Sequence, residues 1–185
     1  VGDFDGDGLD DIAWNSTETR NVTYVGLSED GGGFTFGARQ EHPANGWGSY
    51  RVFVGDVGGD GIEDLIFNTL VAPNRTYVFR GQESGQFEFL DLQDRGSTWN
   101  GYEVLVGDVN ADGRSDIVFN ITESTRNGIH YGLGNTDGRF TEQPYVERSN
   151  DGWENYSGFI GNAGAGPGDD LVWPNLTVGR VTLHL

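Results

Sequence analysis

The sequence predicts an all-β protein made of β-propeller-type blades, each of four antiparallel strands. Two observations carry this prediction. A segment opening on a Gly-Asp pair recurs at a spacing of 52–54 residues. Between its copies lie short apolar runs rich in Val, Ile, Tyr and Phe, separated by clusters of Gly, Asn and Asp, with no helical periodicity. Four strands per repeat of this length match one blade. A lone blade cannot bury both faces, so the copies must stack.

The first copy, VGDFDGDGLDDIAWN at 1–15, aligns with VGDVGGDGIEDLIFN at 54–68 and VGDVNADGRSDIVFN at 106–120. A worn fourth copy is IGNAGAGPGDDLVWP at 160–174. The repeats therefore run 1–53, 54–105 and 106–159, with a partial fourth at 160–185. Strands in the first are expected near 11–15, 21–28, 33–39 and 50–55. Trp14, Phe67, Phe119 and Trp173 share one position on the first strand and are expected in the packing between blades.

The loop before that strand carries the chemistry. Asp3, Asp5, Asp7, the Leu9 carbonyl and Asp11 place hard oxygens around a Gly turn, the donor set that Ca²⁺ takes at flexible angles. Mg²⁺ suits it less, since it demands a tight octahedron. The third copy keeps the pattern as Asp108, Asn110, Asp112, the Arg114 carbonyl and Asp116. The second is reduced to Asp56, Asp60, the Ile62 carbonyl and Asp64, with Gly58 at a ligand position, and is expected to bind more weakly. The fourth retains only Asp170 and is expected to be a metal-free turn closed by its own hydrogen bonds. Two Ca²⁺ sites and a weaker third are therefore expected.

These motifs resemble the FG-GAP/VCBS-type calcium-loop repeats of integrin-α-like β-propellers, found also in propeller lectins. The resemblance covers essentially the whole chain through GDFDGDGLDD, GDVGGDGIED and GDVNADGRSD. It implies structural calcium in the loops, an extracellular setting, and roles in adhesion, glycan binding or assembly.

Composition narrows the field further. A net charge of −18, with all 11 basic residues Arg, disfavours nucleic acid and anionic membranes. Without Cys there is no disulfide, thiol nucleophile or thiolate metal site. No apolar run approaches a membrane span. An opening at Val1 without Met reads as a processed or partial chain. Sequons at Asn15, Asn21, Asn74, Asn120, Asn155 and Asn175 predict N-glycans on a secreted protein, with the amides at strand ends or turns facing solvent.

His42, His130 and His184 have no paired nucleophile motif, read as surface or strand residues, and give no catalytic constellation, so a non-enzymatic protein is expected. A structural, adhesion or self-assembling module, even a filament, is the leading expectation. The alternative is a lectin in which Trp47, Trp99 and Trp153 stack on sugar rings. These Trp residues recur with a Tyr three residues on, a pattern that also serves blade packing. The segment RVTLHL at 180–185 alternates as a half-buried strand. The partial fourth blade predicts completion by further repeats or by another chain.

Overall fold

The computed structural model describes the chain except residues 17–20, 43–46, 70, 98, 100, 124–125, 149–155, 163–165, 176–179 and 185. It is all-β, and the only helical element among the described residues is one 3₁₀ turn, Trp47–Ser49. Contacts divide the chain into two compact units: Val1–Asp56 with Asp60–Asn100, and Val57–Gly59 with Gly101–Leu185.

The first unit holds two antiparallel sheets. Sheet 1 consists of β1 (Ile12–Ser16), β2 (Val22–Ser28) and β3 (Phe34–Phe36), with the short β4 (Gln40–Glu41) also on β2. Sheet 2 runs β5 (Tyr50–Gly55), β6 (Asp64–Thr69), β7 (Asn74–Gly81) and β8 (Phe87–Gly96) in chain order. In the second unit, sheet 3 runs β9 (Glu103–Gly107), β10 (Asp116–Glu123), β11 (Arg126–Gly134) and β12 (Phe140–Glu142), with β13 (Val146–Glu147) also on β11. Sheet 4 is β14 (Phe159–Gly161), β15 (Asp170–Asn175) and β16 (Arg180–His184).

The expected strands form, but their grouping is corrected. The strand at 50–55 does not close the sheet of its own repeat; β5 pairs β6 across the acidic loop, from Gly55↔Asp64 to Tyr50↔Thr69. β9 pairs β10 and β14 pairs β15 in the same way. Sheets are therefore out of phase with the repeat, and each loop is a hairpin inside one sheet. The isolated bridge Gly2↔Asp11 is the matching first rung of sheet 1. A hairpin between adjacent strands has a low closure entropy, which favours this pairing over one across the longer 37–49 connection.

Apolar residues on alternate positions put one face of sheet 1 against one face of sheet 2. Ala13, Val25 and Leu27 meet Leu65, Phe67 and Phe79, and Phe4 and Phe87 join them with ring centroids 5.3 Å apart. Phe67, Phe119 and Trp173 are buried as expected. Trp14 is the correction: it lies 44% exposed on the face of sheet 1 that turns away from sheet 2.

Candidate metal centre

Each acidic loop is shaped by residues in the left-handed region. Gly6 and Gly8 have φ of 78° and 87°, and Gly59 and Gly61 repeat this at 72° and 86°. Their backbone N–H groups turn inward onto the first aspartate. Asp3 Oδ1 accepts from Gly6 N at 2.7 Å and Asp7 N at 3.1 Å, and Oδ2 accepts from Gly8 N at 2.9 Å. Asp5 Oδ1 accepts from Asp7 N at 3.2 Å, and Asp7 Oδ1 from Leu9 N at 2.8 Å. The backbone thus fixes the carboxylates before any ion arrives.

The last aspartate of the loop does more than offer an oxygen. Asp11 is fully buried; its Oδ2 accepts from Phe4 N at 2.9 Å and its Oδ1 from Ser28 N at 2.8 Å. Asp116 makes the same pair with Val109 N at 3.0 Å and Gly134 N at 2.9 Å, and Asp64 Oδ1 accepts from Gly81 N at 2.9 Å. This residue pins the loop to the end of the next strand. Burial pushes the Asp116 carboxyl up to about 6, against the pull of those two N–H groups.

In loop 1 the ligand atoms of Asp3, Asp5 and Asp11 lie within 4.8 Å of one another. Burial, then the charges of Asp7, Asp11 and Asp3, raise the Asp5 carboxyl above its ordinary range, although the Asp7 N–H counters them. Clustered hard oxygens whose charges repel are a donor set that fits Ca²⁺. Loops 2 and 3 answer the repulsion differently. Arg80 ion-pairs with Asp60, donating through Nε at 3.2 Å. The Arg114 guanidinium pairs with Asp112, to which Asn110 Nδ2 also donates at 2.9 Å. Leu9 stands at the loop 1 position that Arg114 takes in loop 3. In loop 4, Asn162 Nδ2 donates to the Gly166 carbonyl at 3.0 Å.

The expectation that the sequon amides face solvent is corrected at three of six positions. Asn21, Asn74 and Asn120 are no more than 4% exposed. Asn74 Nδ2 donates to Asn68 Oδ1 and to the Thr69 carbonyl, and Asn120 Nδ2 donates to Glu103 Oε2 at 3.1 Å. A glycan on such an amide has no room, because the strand position that looked like a turn faces the interior. Asn15 is half-buried and accepts from Thr23 Oγ1. Asn155 lies outside the described residues, as does the side chain of Asn175.

Sequence reading missed a column of basic side chains at His42, Arg95 and Arg148, spaced 53 residues apart. His42 Nε2 is 2.7 Å from Thr23 Oγ1, and Arg95 Nη1 donates to Thr76 Oγ1 at 2.6 Å. Ile129 takes the threonine's place in the third copy, and Arg148 reaches Asn120 Oδ1 itself. His42 is therefore half-buried and packs edge-on against Phe79 at 4.6 Å, and is no surface residue. His130 lies between Tyr102 and Tyr145, at 5.7 and 4.6 Å; the side chain of His184 lies outside the described residues. The register itself was the available signal for this column.

Among the expected sugar-stacking residues, Trp99 is half-buried with the Arg95 guanidinium 5.4 Å from its ring centre. Trp153 and the side chain of Trp47 lie outside the described residues. The tyrosines of that pattern pack: Tyr50 meets Tyr77 edge-on at 5.7 Å, and Tyr102 meets Phe119 at 6.5 Å.

Antiparallel sheets of three to five strands, the first three entered through an acidic hairpin, define the class: an all-β repeat protein. The model of the FG-GAP-like repeat family matches residues 3–67 and 69–119, the stretches that carry loops 1, 2 and 3. The chain belongs to the FG-GAP-like repeat family. No curated protein matches it.

Proposed function

We propose that this chain is a calcium-stabilised β-repeat module of the extracellular space, with a structural or adhesive role and no catalysis of its own. The observation that carries the reading is the convergence of Asp3, Asp5 and Asp11 within 4.8 Å, on a loop that the backbone holds in shape. Asp3, Asp5, Asp7, the Leu9 carbonyl and Asp11 would hold the ion in loop 1, with Asp108, Asn110, Asp112, the Arg114 carbonyl and Asp116 in loop 3. Asp56, Asp60, the Ile62 carbonyl and Asp64 form the weaker set. The ion supplies positive charge that offsets the mutual repulsion of the carboxylates, and the chain supplies the geometry. Sites of modest affinity suit a compartment rich in free calcium. A secreted, glycosylated chain would carry its sugar at Asn15 among the described sequons, since the other described amides are enclosed.

Titration calorimetry of the chelator-treated protein tests the reading. Heat of binding with calcium, reduced in Asp5→Ala, supports it; a chain that takes up no calcium and melts identically with and without chelator overturns it.

A further inference from the structure

The second copy of the repeat loses a loop ligand and gains a charge. Gly58 stands where the first and third copies carry Asp5 and Asn110, and Arg80 stands where they carry Leu27 and Leu133. The structure fixes this register. Ser28, Gly81 and Gly134, the next residue in each copy, all donate N–H to the last aspartate of their loop. Arg80 therefore sits at the end of β7, one residue before the N–H that holds Asp64.

From there the side chain turns back onto the loop. Arg80 Nε and Nη2 donate to Asp60 Oδ2 at 3.2 and 2.5 Å, while Asp60 Oδ1 accepts from Ile62 N at 3.2 Å. The charges of Asp64 and Asp56 act on the same guanidinium. Glu88, directly across the β7–β8 ladder from Arg80, accepts from Gln82 Nε2 at 3.1 Å. Among the described residues, Asp56, Asp60 and Asp64 form no group as tight as that of Asp3, Asp5 and Asp11. Loop 3 also carries an arginine, but Arg114 Nε is held by the Gly134 carbonyl at 2.8 Å, and that loop keeps Asn110 where loop 2 has Gly58. Loop 2 is thus the acidic loop whose donors fit Ca²⁺ least.

We infer that Arg80 takes the place of the calcium ion in loop 2, so that this hairpin carries its own cation and keeps its shape without metal. A guanidinium is a permanent positive charge that binds carboxylate through directed N–H donors, and here it acts on the three aspartates that an ion would join. A Ca²⁺ ion entering loop 2 would have to displace it from Asp60 and would find no side-chain oxygen at Gly58. The inference deepens the calcium reading proposed above and rests on it for the contrast with loop 1. The Arg80 and Asp60 side chains are 39% and 33% exposed, so the effect of the pair is modest and sensitive to salt.

Thermal denaturation in chelator at low ionic strength tests it in the absence of calcium. Arg80→Gln should melt about 2–4 °C below wild type. Arg80→Lys, which keeps the charge, should melt above Arg80→Gln, and added salt should shrink that difference. Asp60→Asn placed on Arg80→Gln should recover most of the loss, because it removes the carboxylate left without its cation. An Arg80→Gln variant as stable as wild type, or a double variant less stable than Arg80→Gln, overturns the inference. Titration calorimetry with calcium gives a second arm, in which wild type and Asp60→Asn should bind the same number of ions. One calcium per chain fewer in Asp60→Asn overturns the inference. A wild type that takes up no calcium overturns the reading of loop 1 instead, and the chelator measurements still decide the role of Arg80.

Discussion

Glu63 and Asp3 exchange two hydrogen bonds across 60 residues of sequence. The Glu63 N–H donates to the Asp3 carbonyl at 2.8 Å, and the Asp3 N–H donates to Glu63 Oε2 at 3.1 Å. Asp169 and Asp108 repeat the exchange in the second unit, at 2.6 and 3.0 Å. An acidic residue one place before the last aspartate of one loop thus anchors the first aspartate of the loop before it. Acidic-loop geometry and sheet packing within each unit are coupled through this clamp.

Glu63→Ala should cost about 1–2 kcal/mol, because a half-buried N–H loses its acceptor, while Glu63→Gln keeps one. Burial first, then Asp10 and Asp3, hold the Glu63 carboxyl above its ordinary 4.5, against the Asp3 N–H. A carboxyl raised in the folded state weakens the fold where it is ionised. In chelator, Glu63→Gln should therefore be more stable than wild type at neutral pH. That gain should vanish as the pH falls through the folded value and below 4.5. Urea denaturation across this range reads both effects.

His42 gives a pH dependence of its own. Burial holds its imidazole below the ordinary 6.5, so the folded state prefers the neutral ring. Its contribution is intact above 6.5 and is lost as the pH falls from there through the lower folded value. Denaturation at about pH 7.5 and about pH 5 should show this loss, and His42→Gln should flatten it in that window.

Calcium should raise the melting temperature mainly through loop 1, where no arginine competes. Saturation at a hundredfold excess over Kd corresponds to about 2.7 kcal/mol per site. Asp5→Ala should abolish most of the shift, and Asp60→Ala, whose carboxylate already pairs with Arg80, should remove little. Equal losses from the two variants would refute this ranking of the loops.

The buried amides make a further prediction. Peptides containing Asn21, Asn74 and Asn120 should carry no glycan in mass spectrometry of the protein expressed through a secretory pathway. Asn74→Ala should destabilise by about 2 kcal/mol, since it leaves Asn68 and the Thr69 carbonyl short of a partner in a dry interior.

Ala111 sits at φ 62°, where the first two loops use glycine. Ala111→Gly should stabilise the chain by roughly 1 kcal/mol in thermal denaturation, because the left-handed conformation strains a side chain with a Cβ.

The repeat, the strands and the acidic loops were legible because they are local. Alternation of apolar residues sets a strand, and Asp-x-Asp-x-Asp-Gly sets a turn lined with oxygens, whatever surrounds them. Which strand joins which sheet was not legible, since β5 could in principle have paired with β3 or with β6, and the hairpin decided. Nor was the side toward which Asn74 or Asn120 points, because a sequon reads the same on either face of a strand. The column of basic side chains required the register across copies, and the meaning of His42 required Thr23 and Phe79 beside it.

The sequence by itself determined that this protein is a series of β repeats with aspartate-rich turns, since periodicity and turn chemistry act over a few residues. Only the tertiary structure decided the burial of its asparagines, the exposure of Trp14 and the clamp from Glu63 to Asp3. Those depend on which surfaces meet, and residues 60 apart meet only after the sheets have packed.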